Sequence, residues 1–229
     1  MNKMVLQLYK GRVFLNPIVR KQVQFLSNEL ESCLVRSLST QEKAAIRRQT
    51  LDQFLRVDHA GEYGADRIYA GQAAVLGRDL STEDKRHTHD LIIHMWEQEK
   101  EHLRTFERLI PEHQARPTIL LPIWNVAGYV LGAGGALIGG ARGAMAVTVA
   151  VEASITEHYN NQIRTLIDQS TGSEKEEEMI KLLTRIRDEE QEHHDTGLEE
   201  EAEKWWLYEP ATTVVKAGCK VAIWLSERI

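Results

Sequence analysis

The chain has 229 residues, with 28 basic and 34 acidic side chains and a formal net charge of −6. That length suits one domain with a full hydrophobic core, and the acidic balance gives no reason to expect a nucleic-acid partner. Two cysteines, Cys33 and Cys219, make neither a disulfide framework nor a thiolate metal site, so a reducing compartment fits.

The first stretch, MNKMVLQLYKGRVFLNPIVRKQVQFLSN, carries Lys3, Lys10, Arg12, Arg20 and Lys21 and no acidic residue before Glu29. Basic, acid-free and partly amphipathic, residues 1–40 read as a mitochondrial leader, with a disordered basic segment as the alternative. Residues 41–229 read as one all-α domain, because prolines are few and the periodic segments long. A first helix is expected from about Thr40 to Gly77. Ser81 with Asp84 resembles a capping box for a second helix, from Glu83 to about Arg108. PEHQARP then makes a loop. From Thr118 an apolar segment leads into a third helix that ends near Gln169. Ser173 with Glu176 caps a fourth, from Glu174 to about Lys204. Pro210 precedes a short C-terminal amphipathic helix.

The same text occurs twice. Glu62, Tyr69 and Gln72 form E-x6-Y-x2-Q, and Glu152, Tyr159 and Gln162 repeat it 90 residues later. Downstream lie two Glu-x-x-His motifs, Glu99 with His102 and Glu190 with His193. Lone Glu and motif Glu are 37 residues apart in the first copy and 38 in the second. Their midpoints fall in the two expected turns, so each antiparallel hairpin sets its lone Glu level with its own motif. Both levels lie about 20 Å from their turns. Residues at i and i+3 share a helix face, so each Glu-x-x-His can reach one metal ion. Two packed hairpins would gather four Glu and two His in one bundle core, where two cations would cancel the cost of burying carboxylates. Oxygen-rich sites with one His per metal suit iron or manganese rather than zinc. The bland alternative is a solvated charged helix face, which DEEQEHHD alone would satisfy.

Residues 117–141, PTILLPIWNVAGYVLGAGGALIGGA, carry no formal charge and hold six Gly and two Pro. The length permits a membrane span. A segment in the membrane interface is favoured, with Trp124 and Tyr129 as anchors, because the third helix must continue to Glu152; core packing is a third reading. In the last helix Val214, Val221, Trp224 and Leu225 are apolar while Lys216, Lys220 and Arg228 are basic, a membrane-facing or bundle-capping pattern.

RVDHAGEYGADRIYAGQ, EQEKEHL, AVEASITEHYNNQIR and RDEEQEHHDTGL resemble the demethoxyubiquinone hydroxylase family of ubiquinone biosynthesis, over roughly residues 50–229. The resemblance implies a ferritin-like four-helix bundle of two pseudo-repeated hairpins plus the C-terminal helix. It implies an O₂-dependent di-iron monooxygenase at the mitochondrial inner membrane, matrix side, that hydroxylates the ring of a polyprenyl benzoquinol. By that resemblance Glu62, Glu99, His102, Glu152, Glu190 and His193 hold two Fe ions, with Glu99 and Glu190 bridging. Two departures are Ala153, where relatives often carry Glu, and Glu157, often His. NADH or the quinol itself is the implied electron donor, and a lipid-binding protein of ubiquinone biosynthesis the implied partner. A homo-oligomer is compatible with it. Tyr159 and His158 are the expected electron or proton relay, and Tyr69 a core tyrosine. Asp66 and Asp188 are candidate acceptors for the free nitrogens of the His ligands. A di-iron quinol oxidase, a ferritin-like iron-binding protein and a metal-free bundle are the competing readings.

Overall fold

The computed structural model describes residues 39–229, and the leader expected over residues 1–40 falls almost wholly outside them. Five α-helices follow in order: α1 Thr40–Leu76, α2 Glu83–Glu112, α3 Leu121–Gln169, α4 Glu174–Glu199 and α5 Tyr208–Ser226, with a 3₁₀ turn at Ala202–Lys204. No strand occurs among the described residues. Residues 48–229 form one unit; residues 39–47, in a separate one, hold the start of α1, where Ser39 donates through its N–H to Glu42.

Each bundle helix keeps its inward stripe at helical spacing. On α2 the buried positions are Thr88, Ile92, Met95, Glu99, His102, Phe106 and Leu109, alternating by three and four. On α4 they are Met179, Leu183, Ile186, Glu190, His193 and Gly197. These stripes are apolar at both ends and ionisable in the middle. One apolar cluster gathers Tyr69, Ala73, Ile92, Met95, Met145 and Val149. A second gathers Leu55, Phe106, Tyr159, Met179, Leu183 and Ile186. The charged residues of the stripes fall between these two plugs in the sequence of every bundle helix.

The turns obey local chemistry with small differences from expectation. Ser173 and Glu176 form the reciprocal capping box. At the start of α2 the cap is Thr82, whose hydroxyl accepts from the Lys85 N–H, rather than Ser81. Helix α2 runs on to Glu112 with Pro111 in its last turn, because Leu109 and Ala115 stay packed in the second cluster. Helix α4 stops at Glu199, and Glu201 turns the chain with a left-handed φ of 64°. Pro210 lies within the first turn of α5.

Helix α3 is broken at Gly140, whose φ of 60° and ψ of −140° are open to glycine but costly for other residues. The chain folds back there, since a Cβ on Gly135 would lie 2.9 Å from the Gly143 carbonyl. The half before the break runs along α1 at backbone contact. A Cβ on Gly132 would stand 1.9 Å from the Ile68 carbonyl oxygen, and one on Gly128 2.7 Å from that of Gly64. Its other face leaves Ile123, Val126, Val130, Leu137 and Ile138 exposed. By length and composition α3 is apolar enough to cross a membrane, and only 22% of its most apolar stretch is buried.

Gly132→Ala pushes against backbone that cannot yield without separating α1 from α3. We expect about 1–3 kcal/mol of destabilisation, read as a lower urea midpoint, whereas Gly134→Ala, which meets nothing, is expected to be close to neutral.

Candidate metal centre

The repeat read from the sequence becomes a shared centre. Glu62, Glu99, His102, Glu152, Glu190 and His193 are each no more than 2% exposed. Their ligand atoms form two groups, Glu62–Glu99–His102–Glu190 and Glu99–Glu152–Glu190–His193, within 4.8 Å of one another in each. Either group could hold a metal ion. Glu99 and Glu190 belong to both, as expected for residues placed between two ions. They come from α2 and α4, while α1 and α3 supply the outer carboxylates.

The polar atoms at this level fit cations better than one another. Glu62 Oε2, both oxygens of Glu99 and of Glu190, Glu152 Oε2 and the Nδ1 atoms of His102 and His193 are buried without hydrogen-bond partners. His102 Nδ1 stands 2.9 Å from Glu190 Oε1, and His193 Nδ1 3.0 Å from Glu99 Oε1, without the alignment of a hydrogen bond. Orphaned buried oxygens and nitrogens of this number are costly unless something positive lies among them. The donor set therefore fits two divalent ions with oxygen and imidazole ligands.

The outer nitrogens of both imidazoles are held across the bundle. His102 Nε2 lies 2.6 Å from Glu189 Oε2, and Arg185 supports Glu189 at 2.9 Å. His193 Nε2 lies 3.0 Å from Gln98 Oε1. These contacts leave each Nδ1 facing the centre and fix the ring. Asp66 and Asp188 do not serve this purpose. Asp66 pairs with Arg67 and accepts from the Trp96 indole at 2.6 Å, while Asp188 pairs with Arg187 at 2.7 Å. The sequence did hold the signal: Gln98 and Glu189 each precede a motif Glu, so they are repeat-related and point at the other hairpin's His.

The tyrosines cross in the same way. Tyr69 donates to Glu152 Oε1 at 2.8 Å, and Tyr159 donates to Glu62 Oε1. Tyr69 is thus a satisfied core tyrosine, but its partner belongs to the centre. His158 faces Gln162 and Asp58 rather than the six clustered residues.

Electrostatics follow from burial. Desolvation, and then repulsion from Glu190, push Glu99 and Glu152 well above the usual carboxylate range, and Glu62 rises for the same reasons. Burial also pushes Glu190 up, but contacts with His102 and His193 outweigh it and hold Glu190 low. Burial lowers both imidazoles, yet Glu190 brings each above its ordinary value, helped by Glu62 at His102.

Beside the centre lies an apolar cavity of about 370 Å³ between α1, both halves of α3 and α5. Ile68, Leu131, Val151, Ile155, Val215 and Cys219 contribute to its wall. Ile68 and Val151 are the chain neighbours of Tyr69 and Glu152, which brings the cavity wall to the edge of the charged level. This space has no direct sign in the sequence, because its wall is assembled from three helices.

A family described as ubiquinone biosynthesis protein COQ7 matches residues 49–226. The chain is 54% identical over 184 residues, 80% of each sequence, to the mitochondrial NADPH-dependent 3-demethoxyubiquinone 3-hydroxylase of Bos taurus. It is 44% identical over 179 residues, 78% of each, to the 3-demethoxyubiquinol 3-hydroxylase of Rhodospirillum rubrum. It is 41% identical over 188 residues, 78% of each, to the mitochondrial 5-demethoxyubiquinone hydroxylase of Saccharomyces cerevisiae.

The metal-free protein should lose stability as pH rises from about 5 to about 8. Glu62, Glu99 and Glu152 keep protons in the folded state that the unfolded chain releases. The raised imidazoles contribute stability that is complete below their unfolded value and is lost as pH rises through the folded one. Glu190 has the opposite sign, but its contribution fades only on acidification. Urea unfolding of apoprotein across this range checks the slope; a midpoint that rises with pH would contradict it.

Proposed function

The chain belongs to the ubiquinone biosynthesis protein COQ7 family, and from that premise we propose that it hydroxylates the ring of a demethoxyubiquinol, using O₂ at a di-iron centre. The observation that carries this reading is the pair of four-residue ligand groups sharing Glu99 and Glu190, set beside an apolar cavity. Glu62 and His102 would hold one iron, Glu152 and His193 the other, and Glu99 and Glu190 both. Bound there, two ferrous ions would supply the electrons and Lewis acidity that O₂ activation requires.

The protein's own residues do the rest. Glu189 and Gln98 keep the imidazoles aimed inward, and Tyr69 and Tyr159 fix one oxygen of each outer carboxylate. The two apolar clusters keep water from the centre, which strengthens every charge interaction inside it. The cavity takes the quinol ring, its apolar wall suiting a substituted benzoquinol and the first part of a polyprenyl tail.

Substrate of this kind partitions into lipid. The exposed Ile123, Val126, Val130 and Ile138 of α3, with Val214, Val221 and Trp224 of α5, support docking at a membrane interface. Trp124, an expected anchor, also donates to Ser226 of α5 at 3.2 Å, tying the two apolar helices together. We place the protein peripherally at the mitochondrial inner membrane, with the matrix-side orientation and a lipid-binding partner as parts of the same proposal. Several relatives are named NADPH-dependent. A reduced nicotinamide is therefore the proposed donor, docking without a strand–glycine turn–helix site among the described residues.

Iron per chain after anaerobic ferrous loading should be about two for the wild type and lost or halved in Glu152→Ala. With a two-electron donor, mass spectrometry should find the quinol with one added oxygen; quinol turnover without that product would favour a quinol oxidase. Leu131→Trp should fill the cavity and raise KM for a prenylated quinol about tenfold, equivalent to ~1.4 kcal/mol, with iron content unchanged.

A further inference from the structure

The two halves repeat the six clustered residues, the tyrosines and the glutamines, but differ in chemistry at neighbouring positions. Gln72 and Gln162 are repeat-related, and each reaches across to the residue four positions before the other half's lone Glu. Gln72 Nε2 lies 3.0 Å from the Ala144 carbonyl and 3.3 Å from Thr148 Oγ1. Gln162 Nε2 donates to Asp58 Oδ1 at 2.7 Å. Thr148 and Asp58 are therefore counterparts, one neutral and the other a carboxylic acid. The residues before the two tyrosines differ in the same sense. Ile68 lines the apolar cavity, whereas His158 is an imidazole.

His158 joins the acid. Its Nε2 lies 3.4 Å from Asp58 Oδ1 and 2.8 Å from Gln162 Nε2. The His158 side chain is 17% exposed and that of Asp58 is 0%. One end of the pair thus meets solvent and the other is sealed. Asp58 Oδ2 and Gln162 Oε1 are buried without hydrogen-bond partners. Asp58 stands one helical turn before Glu62 on α1, and Tyr159, the chain neighbour of His158, donates to that same Glu62. A neutral His158 accepts at Nε2 from the Gln162 amide; a cationic one presents its N–H to Asp58. The ring can therefore alternate between these partners as it gains and gives up a proton.

Resting on the hydroxylase reading above, we infer that Asp58 is a positioning and proton-delivery residue: it takes protons from solvent through His158 and feeds the Glu62–Tyr159 side of the centre. The opposite side, where Thr148 and Ile68 replace the acid and the imidazole, is left dry for the quinol. The reaction needs such a supply. Ring carbon–hydrogen plus O₂, two electrons and two protons gives ring hydroxyl plus water. A reduced nicotinamide brings both electrons and one proton, and the medium must bring the other. Desolvation raises the Asp58 carboxyl, with His158 and then Gln162 pulling it back, so this buried acid holds its proton more tightly than an exposed one. The ionisable groups that act on Asp58 across the helix interface are His158 and Tyr159 of α3. Among the described residues no side chain of α2 or α4 forms a hydrogen bond or ion pair with it.

The test compares iron-loaded wild type with Asp58→Asn, Asp58→Glu and His158→Gln. Asp58→Asn should keep about two irons and an unchanged KM for the quinol, lose about 10²-fold in kcat, and show a larger solvent isotope effect that grows with pH. Asp58→Glu should restore most of the rate. Separately from turnover, isotope-edited infrared spectroscopy of the aspartyl carbonyl should show Asp58 titrating above the ordinary value of 3.8, and higher still in His158→Gln. An Asp58→Asn variant with full iron and a wild-type rate and pH profile would overturn the inference, as would an Asp58 that titrates at or below the ordinary value. Should Asp58→Asn not fold, a His158→Gln protein with an unaltered pH profile and Asp58 titration would overturn it equally. Loss of iron from the wild type itself would instead overturn the di-iron reading.

Discussion

Four carboxylates and two imidazoles lie within ion-binding distance of one another in a core sealed by apolar clusters on both sides along the helices. Left to themselves the carboxylates repel, and burial deprives them of the water that would moderate the repulsion. Cations bound at this level would remove both costs at once. The arrangement of the helices follows from that need: two antiparallel hairpins must meet so that α2 and α4 each offer a carboxylate to both positions. The outer contacts of Glu189, Gln98, Tyr69 and Tyr159 then hold ligands that would otherwise swing toward one another.

The substrate side depends on a different property of the backbone. Gly128 and Gly132 bring α1 and the first half of α3 into direct contact, and Gly140 reverses the chain so that its second half can enter the bundle. One continuous apolar sequence is thereby divided between a cavity wall, an exposed apolar face and a helix that delivers Glu152. Helix α5 closes the cavity with Val215 and Cys219 while presenting Val214, Val221 and Trp224 outward.

Much of this was legible in the sequence. Helical period and turn chemistry placed five helices, and the doubled E-x6-Y-x2-Q with its mirrored Glu-x-x-His brought out the six clustered residues and their pairing by hairpin. The outer hydrogen bonds were harder to see. Asp66 and Asp188 looked eligible because they are acidic and near in sequence, but Arg67, Trp96 and Arg187 claim them. Contacts that cross between hairpins obey the bundle's pseudo-twofold relation rather than sequence proximity, so Gln98 and Glu189 are legible only through the repeat, as the residues before the two motif Glu. The reversal at Gly140 was hidden among six glycines whose spacing is equally compatible with a straight helix. The cavity has no linear signature, since each wall helix contributes residues that read as ordinary core.

The crossed tyrosine bonds bear on how such a chain can arise and change. Tyr69 serves the carboxylate of the second hairpin and Tyr159 that of the first, so one hairpin alone contains neither complete half. Two identical hairpins related by a twofold axis would satisfy every one of these contacts, yet symmetry would force the same residue into both copies of each position. Joining them in one polypeptide lifts that restriction. Only then can Asp58 and His158 stand on one side while Thr148 and Ile68 stand on the other, giving the two four-residue groups unlike environments.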